Sequence, residues 1–436
     1  MTDLSEIKNK ILELAKKYCE HFFKEKEFIP GTSSIPVSGK VVDFEEISNL
    51  INSSLDAWLT TGRFNSEFQK QLASFLGVKI ALTVNSGSSA NLLAFSSLTS
   101  DRLGERKINP GDEVITCATG FPTTIAPIIQ NGAIPVFIDA TVPNYNINTE
   151  IIEKALTKKT KAIMLAHALG NPFDVDAIVD ICKKKNLWLI EDNCDALGSK
   201  YNNKYTGTFG DIATQSFYPA HHITMGEGGA VITNNIKLKR IIESFRDWGR
   251  DCYCETGKDN TCNKRFKWQL GDLPFGYDHK YTYTHLGYNL KITDMQASIG
   301  LAQLKKLSNF IEIRKKNFNF LYNSLNEYSD IFYLPEATKK SNPSWFGFPL
   351  TIKEESNIKR ADLINFLESR KIGTRLLFAG NVTKQPFIKN YKYKICGDLN
   401  MSDLIMKNTF WLGLYPSLSK EKLSYVVKSI KDYIKK

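Results

Sequence analysis

The chain has 436 residues, 42% hydrophobic and 24% charged, with 57 basic against 46 acidic side chains and a formal net charge of +11. That length supports a large cored domain plus a smaller one, and the balance excludes a disordered or collagen-like chain. The basic residues are scattered, and no winged, zinc-finger or helix-turn-helix signature accompanies them. The charge therefore reads as a solvated surface or a general attraction for anionic substrates, not as nucleic-acid binding.

The opening MTDLSEIKNKILELAKKYCE is charged and helical in period. It lacks the apolar core of a signal peptide, and no apolar run approaches the roughly 20 residues of a membrane span. A cytoplasmic protein without membrane attachment is expected, its eight cysteines mostly thiols. Residues 1 to about 28 predict a helix with Ile11, Leu12, Ala15 and Tyr18 as its apolar positions. A Pro/Gly/Ser connector follows at 30–40. DFEEISNLINSSLDAWLT predicts an amphipathic helix with Asp43 as its cap and Ile47, Leu50, Ile51 and Leu55 on one side. FNSEFQKQLASFLG predicts another.

From residue 80 the period changes. IALTVNS, DEVITCA, PVFIDA, AIMLAHA and LWLIEDN predict strands, while GSSANLLAFSSLTS, IIEKALTKKT and DVDAIVDICKKKN predict helices. This βαβ alternation implies a mostly parallel sheet with helices on both faces. There is no GxGxxG after the first strand and no GxxxxGK[ST], which removes the best support for dinucleotide and P-loop sites. Residues 249–287, rich in Cys, Gly, Tyr and charge, predict a long ordered excursion of the functional kind. One or more long helices follow, and then a small α/β domain. The expected division is 1–42 for the N-terminal helix and connector, 43–319 for the large domain, and 320–436 for the small one.

Three segments could carry chemistry. Asp192 in EDNCDALG ends an apolar run, and in a parallel sheet ligands gather at that end. It could pair with a protonated ring nitrogen, or cap a helix. NSGSSAN at 85–91 places Gly87, Ser88 and Ser89 between a strand and a helix, either as a phosphate cradle or as an ordinary capped turn. SFYPAHHITMGEGGAVITN at 216–234 offers Ser216 to a phosphate, and His221 or His222 for proton transfer near neutral pH, unless the histidines are structural. Cys194, Cys252, Cys254 and Cys262 have 57, 1 and 7 residues between successive members. Four thiolates suit a 2Fe–2S cluster or a zinc site, and four unlinked thiols remain the plain alternative.

In this order and spacing the three segments resemble the sugar aminotransferases, a family of fold-type-I pyridoxal-phosphate enzymes. The resemblance implies an aspartate-aminotransferase-like, three-layer αβα large domain with a smaller C-terminal α/β domain. Where that family reads Ser-Phe-x-x-x-Lys and binds its cofactor through the lysine, this chain has His221, and no lysine occurs from 205 to 236. A histidine can move a proton but cannot replace the lysine's covalent bond. The pattern is similar to the nucleotide-sugar 3-dehydratase branch, and the four cysteines to its iron–sulfur members. DWGRDCYCETGKDNTC, LPFGYDHKYTY, HLGYNLKITDMQA, LTTGRFN and PSWFGF extend the resemblance over essentially the whole chain.

The resemblance implies pyridoxamine 5′-phosphate held without a covalent bond and a 2Fe–2S cluster on Cys194, Cys252, Cys254 and Cys262. It implies C3 dehydration of CDP-4-keto-6-deoxy-D-glucose, with reduction by an NADH-dependent iron–sulfur flavoprotein reductase. His221 would move the proton, with Asp195, Tyr218 and Phe346 around the reactive centre. Asp192 would hold the pyridinium, Ser88, Ser89 and Ser216 the phosphate, and Phe121 would cover the ring unless it is a core residue. Asn289 would reach the phosphate of a neighbouring subunit in a homodimer. Arg63 and Arg375 are candidates for the sugar diphosphate, or for surface salt bridges. A lysine-dependent aminotransferase, a cluster-free dehydratase and a non-catalytic regulator are the rival expectations.

Overall fold

The structure, a computed structural model, describes residues 3–24 and 26–435. Among them, eight strands form one sheet. In spatial order they are Ile80–Val84, Gly229–Thr233, Ile212–Ser216, Trp188–Asp192, Thr160–Ala166, Glu113–Cys117, Ile134–Ile138 and Lys394–Ile395. Gly229–Thr233 runs antiparallel to both its neighbours, and every other pairing is parallel. Strands covered on both faces read as continuous apolar runs, and all five residues of Ile80–Val84, Glu113–Cys117 and Trp188–Asp192 are buried. Alternate side chains divide between two cores. Val114, Met164 and Ile190 enter one, and Ile115, Ile163 and Leu189 the other.

The five strand expectations coincide with strands of this sheet. Asp43 caps Phe44–Leu55 in a reciprocal box with Glu46, where two otherwise unpaired N–H groups find acceptors. The first predicted helix is shorter than expected, Leu4–Phe22, with Met1, Thr2 and Glu25 outside the described residues. Its expected apolar side is only partly packed: Leu12 and Ala15 are half-buried, Ile11 is exposed, Tyr18 is 66% exposed, and Cys19 is its buried residue. IIEKALTKKT makes a single helical turn, Ile152–Ala155, because Thr160 already begins a strand.

One helix, Asp294–Leu325, packs on Phe44–Leu55 and Arg63–Leu76 and leads out of the large sheet. Beyond it Phe332–Tyr333, Gly347–Ile352 and Thr409–Gly413 form an antiparallel sheet. Helices Arg360–Ser369 and Lys420–Ile434 close a core that includes Phe348, Leu363, Phe410 and Ile430. The N-terminal connector joins that core through Ile35, while Lys394–Ile395 returns to the edge of the large sheet. No described helix is long and apolar enough to cross a membrane.

Candidate active site

The carboxyl ends of the parallel strands open on a cavity of about 560 Å³. Asp192 stands at its floor, 5% exposed. Its Oδ2 accepts hydrogen bonds from Asn91 Nδ2 at 2.8 Å and Thr124 Oγ1 at 2.6 Å, and its Oδ1 accepts the Cys194 N–H at 3.2 Å. Thr214 in turn donates to Asn91 Oδ1 at 2.7 Å. These neutral donors fix the carboxylate. No ion pair holds it among the described residues, although a buried acid is costly without a cation. Asp192 caps no helix, and its carboxyl lines the cavity where it could face a cationic group.

The phosphate-cradle expectation falls at the start of helix Gly87–Ser97. Ser86 is its cap, accepting the Ser89 N–H at 3.0 Å, and the first-turn N–H groups lack intrahelical acceptors. Gly87, Ser88 and Ser216 line the cavity. A Cβ on Gly87 would fall 2.4 Å from Ser216 Cβ, so only glycine lets these two walls meet. Ser89 is drawn away: its hydroxyl bonds to that of Ser86 at 3.0 Å, and it is not part of the cavity lining. Phe121, 48% exposed at the rim, is no core residue; it meets Phe378 edge-on at 6.2 Å.

The paired histidines divide. His222 is 2% exposed and turns away, with Nε2 2.8 Å from the Ser344 carbonyl. His221 lines the cavity, Nδ1 3.4 Å from Asp195 Oδ1 and its ring 5.1 Å from that of Phe346. Burial pulls the His221 imidazole down to about 4, Asp192 opposing and Arg314 adding to it. Burial, helped by the charge of Asp192, pushes Asp195 up to about 8 against Arg314. At neutral pH the pair is therefore a free imidazole beside a protonated carboxyl, not an ion pair. Asp195 Oδ2 and His221 Nδ1 have no hydrogen-bond partner. Phe346 is held from behind: its N–H donates to the Leu169 carbonyl at 2.8 Å, and Gly170, at φ +90°, lets that turn approach Ser344. Tyr218 and Arg375 also line the cavity.

Three expected positions lie elsewhere. Arg63 is on the surface with Asp56 at 2.6 Å, outside the cavity lining, so its salt-bridge reading describes the chain. Asn289 is exposed and outside the lining, its backbone bridged to Asp247. Cys194 is the third. The sulfurs of Cys252, Cys254 and Cys262 lie within 4.8 Å of one another on the 249–287 excursion. Cys194 is not gathered with them; it lines the cofactor cavity, its sulfur 3.9 Å from Thr214 Oγ1. Chain order put Cys194 beside Asp192, and the strand end holds it there. The three-thiol group offers a metal site on its own. Burial pushes Cys252 up to about 11, whereas hydrogen bonds from Thr261 and the neighbouring cysteines outweigh burial and draw Cys254 down to about 7. His279 Nδ1 stands 3.5 Å from Cys262 Sγ.

Sequence reasoning missed Thr124 and Thr214. Asn91 lay inside a quoted motif, one helical turn after Ser88, and its spacing could have marked it. Trp411 of the small domain completes a wall without any local signal.

The sheet order, the Ser86-capped helix at the cavity and the buried aspartate fit the fold of pyridoxal-phosphate-dependent aminotransferases. The Escherichia coli GDP-4-keto-6-deoxy-D-mannose-3-dehydratase with bound hydrated PLP superposes with a TM-score of 0.81 at 29% identity, over 91% of this chain and 98% of that one. The chain belongs to the DegT/DnrJ/EryC1/StrS aminotransferase family, whose profile matches residues 42–431. It is 58% identical to the lipopolysaccharide biosynthesis protein RfbH of Salmonella typhimurium, over 98% of both chains. It is 51% identical to a dTDP-4-dehydro-2,6-dideoxy-D-glucose 3-dehydratase of Saccharopolyspora spinosa, over 98% of this chain and 92% of that one.

Proposed function

We propose that the protein is a pyridoxamine-phosphate-dependent nucleotide-sugar 3-dehydratase acting on CDP-4-keto-6-deoxy-D-glucose. The C3 hydroxyl leaves as water. Two electrons from NADH, delivered by an iron–sulfur flavoprotein reductase, and two protons complete the change to the 3-deoxy sugar. The carrying observation is His221, a neutral base in a cavity whose lining contains no lysine. The activities for which the relatives are named, 3-dehydration above all, support the same reaction class. The RfbH likeness supports a product destined for surface glycan.

The residues fit the cofactor. Asp192 would face the ring nitrogen, Gly87, Ser88 and Ser216 the phosphate, and Phe121 the open ring face. When bound, pyridoxamine phosphate supplies an amine for the sugar ketone and a conjugated ring that spreads negative charge. His221 takes and returns the proton at the cofactor's C4′ carbon. Asp195 orients the imidazole, Phe346 and Tyr218 exclude water, and Arg375 meets the diphosphate. Asn289, exposed on its loop, would serve the neighbouring subunit of a homodimer. A 2Fe–2S cluster takes four ligands; Cys252, Cys254 and Cys262 fit three of those places, and Cys194, the fourth expected ligand, lies outside their group in the single chain.

The test is incubation with CDP-4-keto-6-deoxyglucose, pyridoxamine phosphate, NADH and a competent reductase under anaerobic conditions. The expected product is the CDP-4-keto-3,6-dideoxy sugar, and borohydride should trap no cofactor on the chain. A lysyl–cofactor bond, or release of a 4-amino sugar, would replace this reading with a transaminase.

A further inference from the structure

Arg314 is buried in the middle of helix Asp294–Leu325, 1% exposed. No ion pair holds it among the described residues. Its guanidinium donates to four main-chain carbonyls: Nη1 to Phe346 at 3.0 Å and Trp345 at 3.4 Å, Nη2 to His221 at 3.3 Å and Ala220 at 3.5 Å. Its Nε has no partner. A buried cation with only carbonyl acceptors is expensive, and an apolar side chain of similar volume would fill the space at less cost. Its acceptors explain why it is there. Residues 217–228 contain no helix or strand, so no helix or strand ladder supplies donors to the part-buried carbonyls of Ala220 and His221. Arg314 supplies them with one half of a rigid fork. The other half grips Trp345 and Phe346, just before strand Gly347–Ile352, and the Phe346 ring lies against His221.

We propose that Arg314 is a positioning residue of the active site, tying the main chain of His221 to that of Phe346 and so setting where the His221 ring stands. The proposal rests on the reading of His221 as the proton-transfer group. The buried charge also acts in the required direction, since it favours the free imidazole.

The chain has six histidines, so ring-labelled protein gives a histidine spectrum assignable by single substitutions. In Arg314→Met the His221 and His222 ring signals should shift or broaden while the other four stay in place. Arg314→Lys, with a charge but no fork, should shift them less. The chemical arm follows tritium release from C4′-labelled pyridoxamine phosphate in the presence of the keto sugar nucleotide. Misplacement of about 1 Å can cost about 100-fold, so Arg314→Met should lose on that order, with cofactor affinity nearly unchanged and Arg314→Lys recovering part of the rate. Unchanged His221 signals in Arg314→Met, with only a lower melting temperature, would overturn the proposal. Shifted signals with an unchanged rate would overturn it too. If Arg314→Met fails to fold, Arg314→Lys decides by the same two readouts. If the wild type releases no tritium, the dehydratase reading fails, and the ring signals alone decide the positioning role.

Discussion

His221 Nδ1 stands 3.4 Å from Asp195 Oδ1 inside the cavity, and burial moves the two groups in opposite directions, to about 4 and about 8. Between those values the base is free and the carboxyl holds its proton. The rate of C4′ proton transfer should therefore be flat from about pH 5 to 7, falling on the acid side as His221 protonates and on the alkaline side as Asp195 ionises. His221→Asn should slow the same step by about 10²–10⁴-fold with the fold unchanged by circular dichroism. A His221→Asn variant that keeps wild-type exchange would remove His221 from the chemistry.

The same pair makes stability depend on pH. His221 is depressed, so its contribution is present above the unfolded value near 6.5 and is lost as pH falls toward 4. Asp195 is raised, so its contribution is present at low pH and is lost as pH rises from the usual carboxylate range to about 8. Below about 6.5 the two slopes oppose each other; between 6.5 and 8 only Asp195 of the pair acts. At Asp195 the folded chain there binds one more proton than the unfolded chain, while Cys254, drawn down to about 7, acts in the opposite direction. Stability should fall by about 1.4 kcal/mol per pH unit from Asp195. Urea titrations of wild type and Asp195→Asn at pH 6.5, 7.2 and 8 would show the slope in the first and its loss in the second.

Gly87 tests the phosphate cradle. Gly87→Ala forces a Cβ against Ser216 Cβ and Oγ, and both neighbours are fixed by a helix start and a strand end. Overpacking of this kind costs about 1–3 kcal/mol. Pyridoxamine phosphate affinity should fall further than stability alone accounts for, read by fluorescence titration beside a melting curve. Equal affinity for pyridoxamine and its phosphate ester in the wild type would dissociate this helix from the phosphate.

What the sequence disclosed follows from distance along the chain. Asp192, Gly87 and Ser88 were legible as cavity positions because a strand end or helix start places each one locally, and His221 by its place in the motif that begins at Ser216. The buried strands were legible because burial on both faces leaves unbroken apolar runs. Leu4–Phe22 was harder, since periodicity locates a helix without saying what covers it. Arg314 carried no signal: it acts on His221 from 93 residues away, and its neighbours in sequence are ordinary helix. Cys194 is the opposite case: spacing and the family resemblance grouped four thiols, and the described residues of one chain gather three of them.

That grouping gives the last prediction. Three sulfurs within 4.8 Å of one another should bind a thiophilic metal whether or not the pyridoxamine cavity is filled. Cys252→Ser, Cys254→Ser and Cys262→Ser should each lower iron content after anaerobic reconstitution, and each should abolish the thiolate charge-transfer band of a cobalt-loaded protein. Pyridoxamine phosphate affinity should stay unchanged in all three, because none of these residues lines its cavity. Cys194→Ser should do the reverse within one chain and disturb the cofactor pocket, which its side chain lines beside Thr214. Iron loss in Cys194→Ser as well would require Cys194 of one chain to meet the three thiols of another. Mixed dimers of Cys194→Ser and Cys254→Ser subunits would then settle the matter, since one of their two centres would keep a full set of sulfurs only if the set is shared between chains.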